Sequence, residues 1–543
     1  MSKVAQYLQE HLVGEVMTAA DARSYFATDG SIFTVTPQII VYPRTENDIR
    51  KAARFTWQLA ERGRTIPLTA RGSGTDQAGA AIGSGIMLVF PAHMNKIISL
   101  DSGKGLVTIQ PGLNYGRLQQ TLHTHGMFLP PYPASLDYST IGGAIANNAA
   151  GEKSVKYGVT KDFVRELRVV LANGEVITTG KLSKRDINKK MGLASFEGEI
   201  YRALDALLND HKDLIAKTQP TVSKNVAGYD VWSLRQKDGS MDLTQLIVGS
   251  QGTLGIVSEA TLETESYNPR KTLLVSFFDD TAKAGHAIVA LKKLLPSAVE
   301  LVDSNLLNFI DTYNPNQLAE LIKKPIPKLV LLVEFDDVSS RLQRKRSKKA
   351  YKILEKHAYE TKVTSDEHEQ EDYWKIRHSA ATIFWQNVGN KKALPIIEDG
   401  IVPIERFAEF LDKVYELFRS YSLDIAVWGH AGDANLHMQP FFDLTQVGDR
   451  QKIFKLMEEY YHLVVSFGGS ITAEHNDGRL RGPYLKMMYG EELYELFRKI
   501  KQIFDPFNSL NPGVKIDVTV QDLQPIMRQE YSMAHLYDHM PRT

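Results

Sequence analysis

The strongest constraint on what this chain can fold into is the run RGSGTDQAGAAIGSG, Arg71 to Gly85, set directly behind the short extended stretch Thr65 to Ala70. Successive glycines after a strand let backbone N–H groups approach a phosphate without interference from a Cβ. Upstream, Ile49, Ala52, Ala53, Phe55, Thr56, Leu59 and Ala60 recur at helical spacing, and Ile86 to Phe90 reads as a second strand after the loop. The order is therefore helix, strand, glycine loop, strand, and RGSGTDQAG is a pyrophosphate candidate. It is not a Rossmann fingerprint. After Gly72 and Gly74 the third glycine should fall at Gln77, Gly79 comes two places late, and a strand rather than a helix follows. Taken alone, the loop reads equally well as a plain glycine-rich turn.

Composition removes whole classes of chemistry. The 543 residues contain no cysteine, which excludes disulfides, thiolate zinc sites, cysteine-ligated clusters, catalytic thiols and flavin tethered through sulfur. Redox work must fall to a cofactor or to a metal held by nitrogen and oxygen. The 64 Lys and Arg balance 64 Asp and Glu, so no global field favours nucleic acid. The N-terminus MSKVAQYLQEHLVGEV lacks the apolar core of a signal peptide, and no window approaches the roughly 20 apolar residues of a membrane span. A cytoplasmic protein is expected.

Further strands are expected at Val107 to Gln110 and Val164 to Ala172, with Asn173 and Gly174 turning the chain into Glu175 to Thr179. A helical stretch surrounds Ile200 to Leu208. From about Pro269 to Leu423, strands at Lys271 to Phe278 and Lys328 to Phe335 alternate with longer helices such as Ala282 to Leu294, which suits an α+β domain better than a doubly wound sheet. The basic run RLQRKRSKKAYKILEKH reads as a solvated helix face with Leu342, Ala350, Tyr351 and Ile353 turned inward. The last 28 residues read as a polar appendage.

IAVWGHAGDANLHMQPFF places His430 and His437 at either end of the turn-like AGDAN, between apolar strands. In a hairpin such residues are neighbours, so both imidazoles can reach one ion, and GGSITAEHNDGRLRG supplies Glu474 and His475 nearby. Ordinary packing of two histidines is the competing reading.

STIGGAIANNAAG (from Ser139), YGVTKD (from Tyr157), KNVAGYD (from Lys224) and VGSQGTLGIVSEATL (from Val248) follow the first loop in that order. Together they resemble the PCMH-type FAD-binding domain of the vanillyl-alcohol oxidase superfamily, in the branch of D-lactate dehydrogenases, glycolate oxidase flavoproteins and D-2-hydroxyglutarate dehydrogenases. The resemblance implies FAD contacts at Arg71, Gly72, Ser73, Gly74, Thr75, Ser139, Gly142, Gly143, Asn147, Gly151, Gly249, Gly252, Gly255 and Ile256. It also implies non-covalent FAD, since the positions used for tethering carry neither His nor Cys. Gln251 departs from the Glu of many relatives. HAGDANLH and AEHNDGRLR resemble this branch's metal motifs, which implies a divalent metal (Zn, Mn or Fe) on His430, His437 and Glu474, and His475 as the base that takes the substrate's hydroxyl proton. Ala434 and Asn476 stand where relatives often have glycine. Arg377 matches the arginine that binds the substrate carboxylate. A lysine used by some relatives is missing from PIIEDGIVP; Arg479 and Arg481, which follow the metal loop, are the candidates to substitute, and the second substrate anchor stays open. FDPFNSLNPGVK resembles the family's C-terminal return and is read as a sign that the chain is complete.

The expectation is a two-lobed α+β flavoprotein with a PCMH-type FAD-binding domain at 1–265, an α+β cap domain carrying the metal hairpin at 266–465, a return to the FAD domain at 466–515 and a polar tail at 516–543. The implied reaction is FAD-dependent oxidation of a D-2-hydroxy acid, D-lactate first and D-2-hydroxyglutarate next. The other class to weigh is a flavin-binding subunit of a glycolate-oxidase-like complex. With no cluster ligands in these residues, electrons pass from FAD to an external acceptor: a quinone, a cytochrome or an electron-transfer protein. A homo-oligomer with a peripheral membrane contact is also expected.

Overall fold

Thr45 opens the helix Glu46–Ala60 through a reciprocal capping box with Asp48, and Ile49, Ala52, Ala53, Thr56 and Ala60 form its buried stripe. That stripe shares a core with Ile39, Val41, Leu68, Ile86 and Leu88. These belong to a small sheet in which Ile39–Tyr42 and Leu68–Arg71 each run parallel to Ile86–Val89. The first glycine loop leaves this sheet at Arg71. A computed structural model describes residues 2–313, 316, 318, 321–379, 387, 388, 390–423 and 425–539.

A second sheet of the N-terminal lobe is antiparallel, in the order Ile97–Asp101, Leu106–Ile109, Ile256–Glu263, Val164–Val170, Val176–Thr178. Its last hairpin turns where the sequence places it. Gly174 takes φ +83° and the Asn173 side chain accepts the Glu175 N–H at 2.9 Å.

The other lobe is built on a seven-stranded antiparallel sheet, ordered Glu360–Thr364, Thr272–Phe278, Leu329–Phe335, Ala298–Asp303, Val427–His430, Asn435–Met438, Gly400–Ile401. Leu329–Phe335 is buried at every position, as the apolar run Leu329 to Val333 requires when both sheet faces are covered. Leu329, Leu331 and Val333 enter one core with the helices Thr281–Lys292, Ser340–His357 and Phe407–Ser420. Val330 and Leu332 enter another with Ser304–Tyr313 and Glu367–His378. The fold is thus the α+β, two-lobed arrangement expected. Among the described residues no helix is long and apolar enough to cross a membrane.

Polar contacts join the lobes. Lys153 pairs with Glu334, which also accepts the Ser297 hydroxyl at 2.7 Å, and Lys156 Nζ lies 2.5 Å from Asp336. Ser154 and Ser223 each donate to Asp433 at 2.7 Å, one from the short helix Ser154–Tyr157 and the other from a loop of the first lobe.

Two expectations need correction. In the basic helix Ser340–His357 the inward stripe is Gln343, Ser347, Ala350 and Leu354, and Tyr351 and Ile353 pack half-buried beside it against the core as expected. Leu342 lies one position off that stripe and is 39% exposed. The C-terminal stretch is no polar appendage: Val518, Leu523, Met527, Tyr531, Met533 and Leu536 are buried. Its backbone bonds to the N-terminal segment through Thr34 N–H to Ile526 O and Arg528 N–H to Ile32 O, both 2.8 Å. His535 Nε2 reaches the Gly74 carbonyl at 3.0 Å. These apolar residues are scattered singly among polar ones, so a polar average concealed them.

Tyr531 is 2% exposed and donates to the Gly30 carbonyl at 2.8 Å. Tyr531→Ala should cost about 3–5 kcal/mol, read as a lower urea midpoint at unchanged m-value. A midpoint equal to wild type would mean that the C-terminal stretch is not docked.

Candidate active site

One cavity of about 730 Å³ runs between the lobes and is lined by twelve of the fourteen expected flavin contacts, by Arg377, and by His430, His437, Glu474 and His475. The size lies within the range of cofactor sites. Gly151 and Gly249 stand behind the wall. A Cβ on Gly151 would sit 2.1 Å from the Tyr132 carbonyl oxygen, and Gly249 holds φ +81°, so both shape the loops without lining the cavity.

At the glycine-loop end, Arg71 is buried and donates to the carbonyls of Thr28 (2.8 Å) and Ala81 (3.2 Å), while its Nε and Nη2 have no partner in the protein. Ser139 Oγ is likewise buried and unpartnered. Gly74 holds φ +77°, a conformation that favours glycine, and a Cβ there would lie 2.2 Å from Arg71 Nη2. Buried donors left unpaired at a cavity wall are costly unless a polar ligand takes them. Unpaired guanidinium N–H groups, an unpaired hydroxyl and glycine-bared backbone are what a dinucleotide diphosphate needs, so the residues fit FAD. Gln251 uses both ends of its amide, donating to Asn147 Oδ1 (3.0 Å) and accepting from Gly478 N–H (2.8 Å).

At the other end, Glu474 organises three imidazoles. Its Oε1 lies 2.9 Å from His430 Nε2, 3.3 Å from His437 Nε2 and 3.9 Å from His475 Nε2, and its Oε2 accepts from Lys224 Nζ at 2.6 Å. The two hairpin histidines are not directly opposed, since Trp428 pairs with His437 and His430 with Asn435. All four side chains share one face, so the histidines meet diagonally, ring centroids 5.1 Å apart. The turn between them needs a left-handed residue, and Ala434 supplies φ +57°. Asn476 likewise takes φ +70°, and its amide donates to the carbonyls of Asn147 (3.0 Å) and Gly249 (2.9 Å). Both departures from glycine thus fall on positions of positive φ.

Each outer histidine is held from behind by a carboxylate. His430 Nδ1 meets Glu300 at 2.8 Å and His475 Nδ1 meets Glu398 at 2.6 Å, which aims both Nε2 atoms at the cavity. Burial opposes charge on these rings, but Glu300 and Glu474 outweigh it at His430, and Glu398 and Asp399 at His475, lifting each to about 9. His437 is pushed down by burial, and its Nδ1 has no partner. Burial alone would raise Glu474, yet His430 and Lys224 hold it well below the usual carboxylate range. The ligand atoms that lie within 4.8 Å of one another are those of His437, Glu474, His475 and Asp399, a set that leaves out His430 and takes in Asp399. Asp399 Oδ2, however, already accepts the Thr472 hydroxyl and the N–H groups of Ala473, Glu474 and His475, so we read it as the brace of the loop. Three imidazole nitrogens around one carboxylate oxygen, two of them backed by carboxylates, fit a divalent metal.

Arg377 does not stand free. It is buried, and its Nε donates to Glu300 Oε2 at 2.8 Å, so one edge of the guanidinium supports His430. Arg479 and Arg481 are not on the cavity wall. Arg479 donates to the carbonyls of Pro512 and Ile82, both 3.0 Å, and Arg481 to those of Asn476 (2.9 Å) and Glu398 (3.0 Å), so neither serves as a second substrate anchor. Lys224, Glu300, Glu398 and Asp399 were missed by sequence reasoning. Glu300 did carry a signal, a carboxylate inside the apolar strand Ala298–Asp303.

The FAD binding domain family matches residues 37–180, and the family of FAD linked oxidases, C-terminal domain, matches residues 268–514. The p-cresol methylhydroxylase structure superposes with a TM-score of 0.69 over 96% of this chain and 97% of that one, at 15% identity, and shows the shared fold. Fold and site together define a flavin-dependent oxidoreductase. The chain belongs to the FAD-linked oxidases. It is 29% identical to the glycolate oxidase subunit GlcD of Bacillus subtilis, over 88% of each chain. It is 26% identical to a D-lactate dehydrogenase of Archaeoglobus fulgidus, over 88% of this chain and 90% of that one. The D-2-hydroxyglutarate dehydrogenase of Escherichia coli matches at 29% over 93% of this chain, which spans 50% of that protein's length.

His437→Ala should leave FAD in place and lower the divalent metal retained after dialysis, measured by elemental analysis. Wild-type metal content in this variant would move the ligand elsewhere.

Proposed function

We propose that this protein oxidises a D-2-hydroxy acid to the 2-oxo acid with FAD as hydride acceptor, D-lactate being the first substrate to test. The observation that carries the reading is the convergence of His430, His437 and His475 on Glu474, in the wall of the cavity that holds the glycine loops. The relatives named D-lactate dehydrogenase, D-2-hydroxyglutarate dehydrogenase and glycolate oxidase subunit support it. Bound FAD supplies the hydride acceptor, and a divalent cation on His430, His437 and Glu474 supplies a Lewis acid for the hydroxyl and carboxylate oxygens.

The chain's own groups do the rest. Arg377 offers the N–H groups not used by Glu300 to the substrate carboxylate. His475 Nε2 takes the hydroxyl proton, and Glu398 keeps Nε2 as the exposed, accepting nitrogen. Lys224 keeps Glu474 ionised and in place. D-2-hydroxyglutarate is the second reading, favoured by Lys271, a part-exposed cation on the same cavity wall that suits a distal carboxylate. The intact histidine and glutamate set argues against a non-catalytic subunit of a glycolate-oxidase-like complex. The electron acceptor is a quinone, a cytochrome or an electron-transfer protein.

Anaerobic mixing of the metal-loaded protein with D- and L-2-hydroxy acids should bleach the flavin with a D-acid, and a chelator should prevent it. If no acid bleaches the flavin, the reading fails. His475→Ala should retain FAD and lose the bleaching. Glu398 favours the protonated imidazole, so Glu398→Gln lowers the pH at which His475 gives up its proton. The acidic limb of the reduction rate against pH should move to lower pH, and the plateau should fall roughly 10- to 100-fold. A limb that stays in place would remove Glu398 as the partner of the base.

A further inference from the structure

The net charge of zero conceals a strongly polarised surface. The helix Ser340–His357 carries eight Lys and Arg against the single Glu355. Arg341, Arg344, Lys345, Lys348, Lys349 and Lys352 are all exposed. Among the described residues the helix makes one ion pair, Arg346 to Asp337, and these six stand outside it. The opposite side of the helix is committed to the sheet through Ala350 and Leu354, so the cationic side is a fixed outer face of the lobe.

Apolar side chains stand beside it. Val338, just before the helix, is 72% exposed, Leu342 is 39% exposed, and Tyr359, just after it, is 56% exposed. Val363, 50% exposed, lies on the edge strand opposite Leu274. Leu274 shares a core with Ala350 and Leu354, and directly opposed residues point to the same sheet face, so Val363 lies on the side that carries the helix. The helix is 18 residues long, about 27 Å at 1.5 Å per residue, with cations from end to end. A compact phosphate ligand would call for donors converging on one point, and a nucleic acid has no use for the aliphatic side chains. A flat anionic surface with an apolar interior uses both.

We propose that the helix Ser340–His357, with Val338, Leu342, Tyr359 and Val363, docks this lobe on an anionic lipid bilayer. The helix is tied to the rim of the cavity. Asp336 lines the cavity three residues before the N-cap Ser339, and Gln343 donates to the Arg270 carbonyl (3.1 Å) and to Thr272 Oγ1 (2.9 Å), beside the cavity residues Asn268 and Lys271. A bilayer seated on the helix therefore lies next to the rim, where a lipid-soluble electron acceptor would meet the flavoprotein.

The test is flotation of the FAD-loaded protein with vesicles of phosphatidylcholine alone or mixed with phosphatidylglycerol, at low and high salt. Binding is expected to the mixed vesicles only, and to be lost at high salt. The triple variant Lys348→Glu, Lys349→Glu, Lys352→Glu should keep the flavin spectrum and bind at least roughly a hundredfold more weakly. Leu342→Gln, which leaves the charge intact, should weaken vesicle binding severalfold and leave retention on duplex DNA unchanged. No flotation with mixed vesicles, full binding by the triple variant, or salt-sensitive binding to DNA without vesicle binding would each overturn the proposal.

Discussion

The carboxylate of Glu474 is the point on which the site turns. A charge buried this far from water is stable only when its surroundings compensate it. Here Lys224 takes one oxygen while imidazoles crowd the other. Lys224 comes from the FAD-binding lobe, His430 and His437 from the hairpin of the other lobe, and Glu474 from the loop after the helix Val447–Ser466. No single segment could hold that charge. Removing one partner from such a group generally costs about 3–5 kcal/mol, because the remaining charge stays buried. The site and the association of the lobes are therefore one energetic problem.

The same logic repeats outward. Glu300 links Arg377 to His430, and Glu398 joins His475 while Arg481 donates to its main-chain carbonyl. Asp399 gathers three successive backbone N–H groups, which fixes the loop carrying Glu474 and His475. Precision in the imidazoles thus comes from carboxylates that never need to touch a substrate.

What the sequence made legible follows from which interactions are local. The glycine loop, the Asn173–Gly174 turn and the alternation of strands and helices are set by neighbours in the chain, and they stand where their residues imply. His430, His437 and Glu474 could be grouped because the turn between the histidines is short and the resemblance added the glutamate. Glu398, Asp399 and Lys224 could not. Their roles come from contacts spanning 73 to 250 positions, and a carboxylate that braces a loop looks in sequence like any surface acid. Arg481 shows the converse, a cation whose motif position suggested a ligand contact while both its terminal nitrogens donate to main-chain carbonyls away from the cavity wall.

The docked C-terminal stretch bears on how the protein is made. His535 meets Gly74 across 461 positions, and Met533 and Leu536 form part of the cavity wall. At about 5–20 residues per second, a ribosome that has finished the glycine loop needs roughly 25–90 s more to supply the residues that enclose it. Until then one side of the cradle is missing. The nascent N-terminal lobe carries a flavin motif that stays open on that side until Met533 and Leu536 arrive to line it.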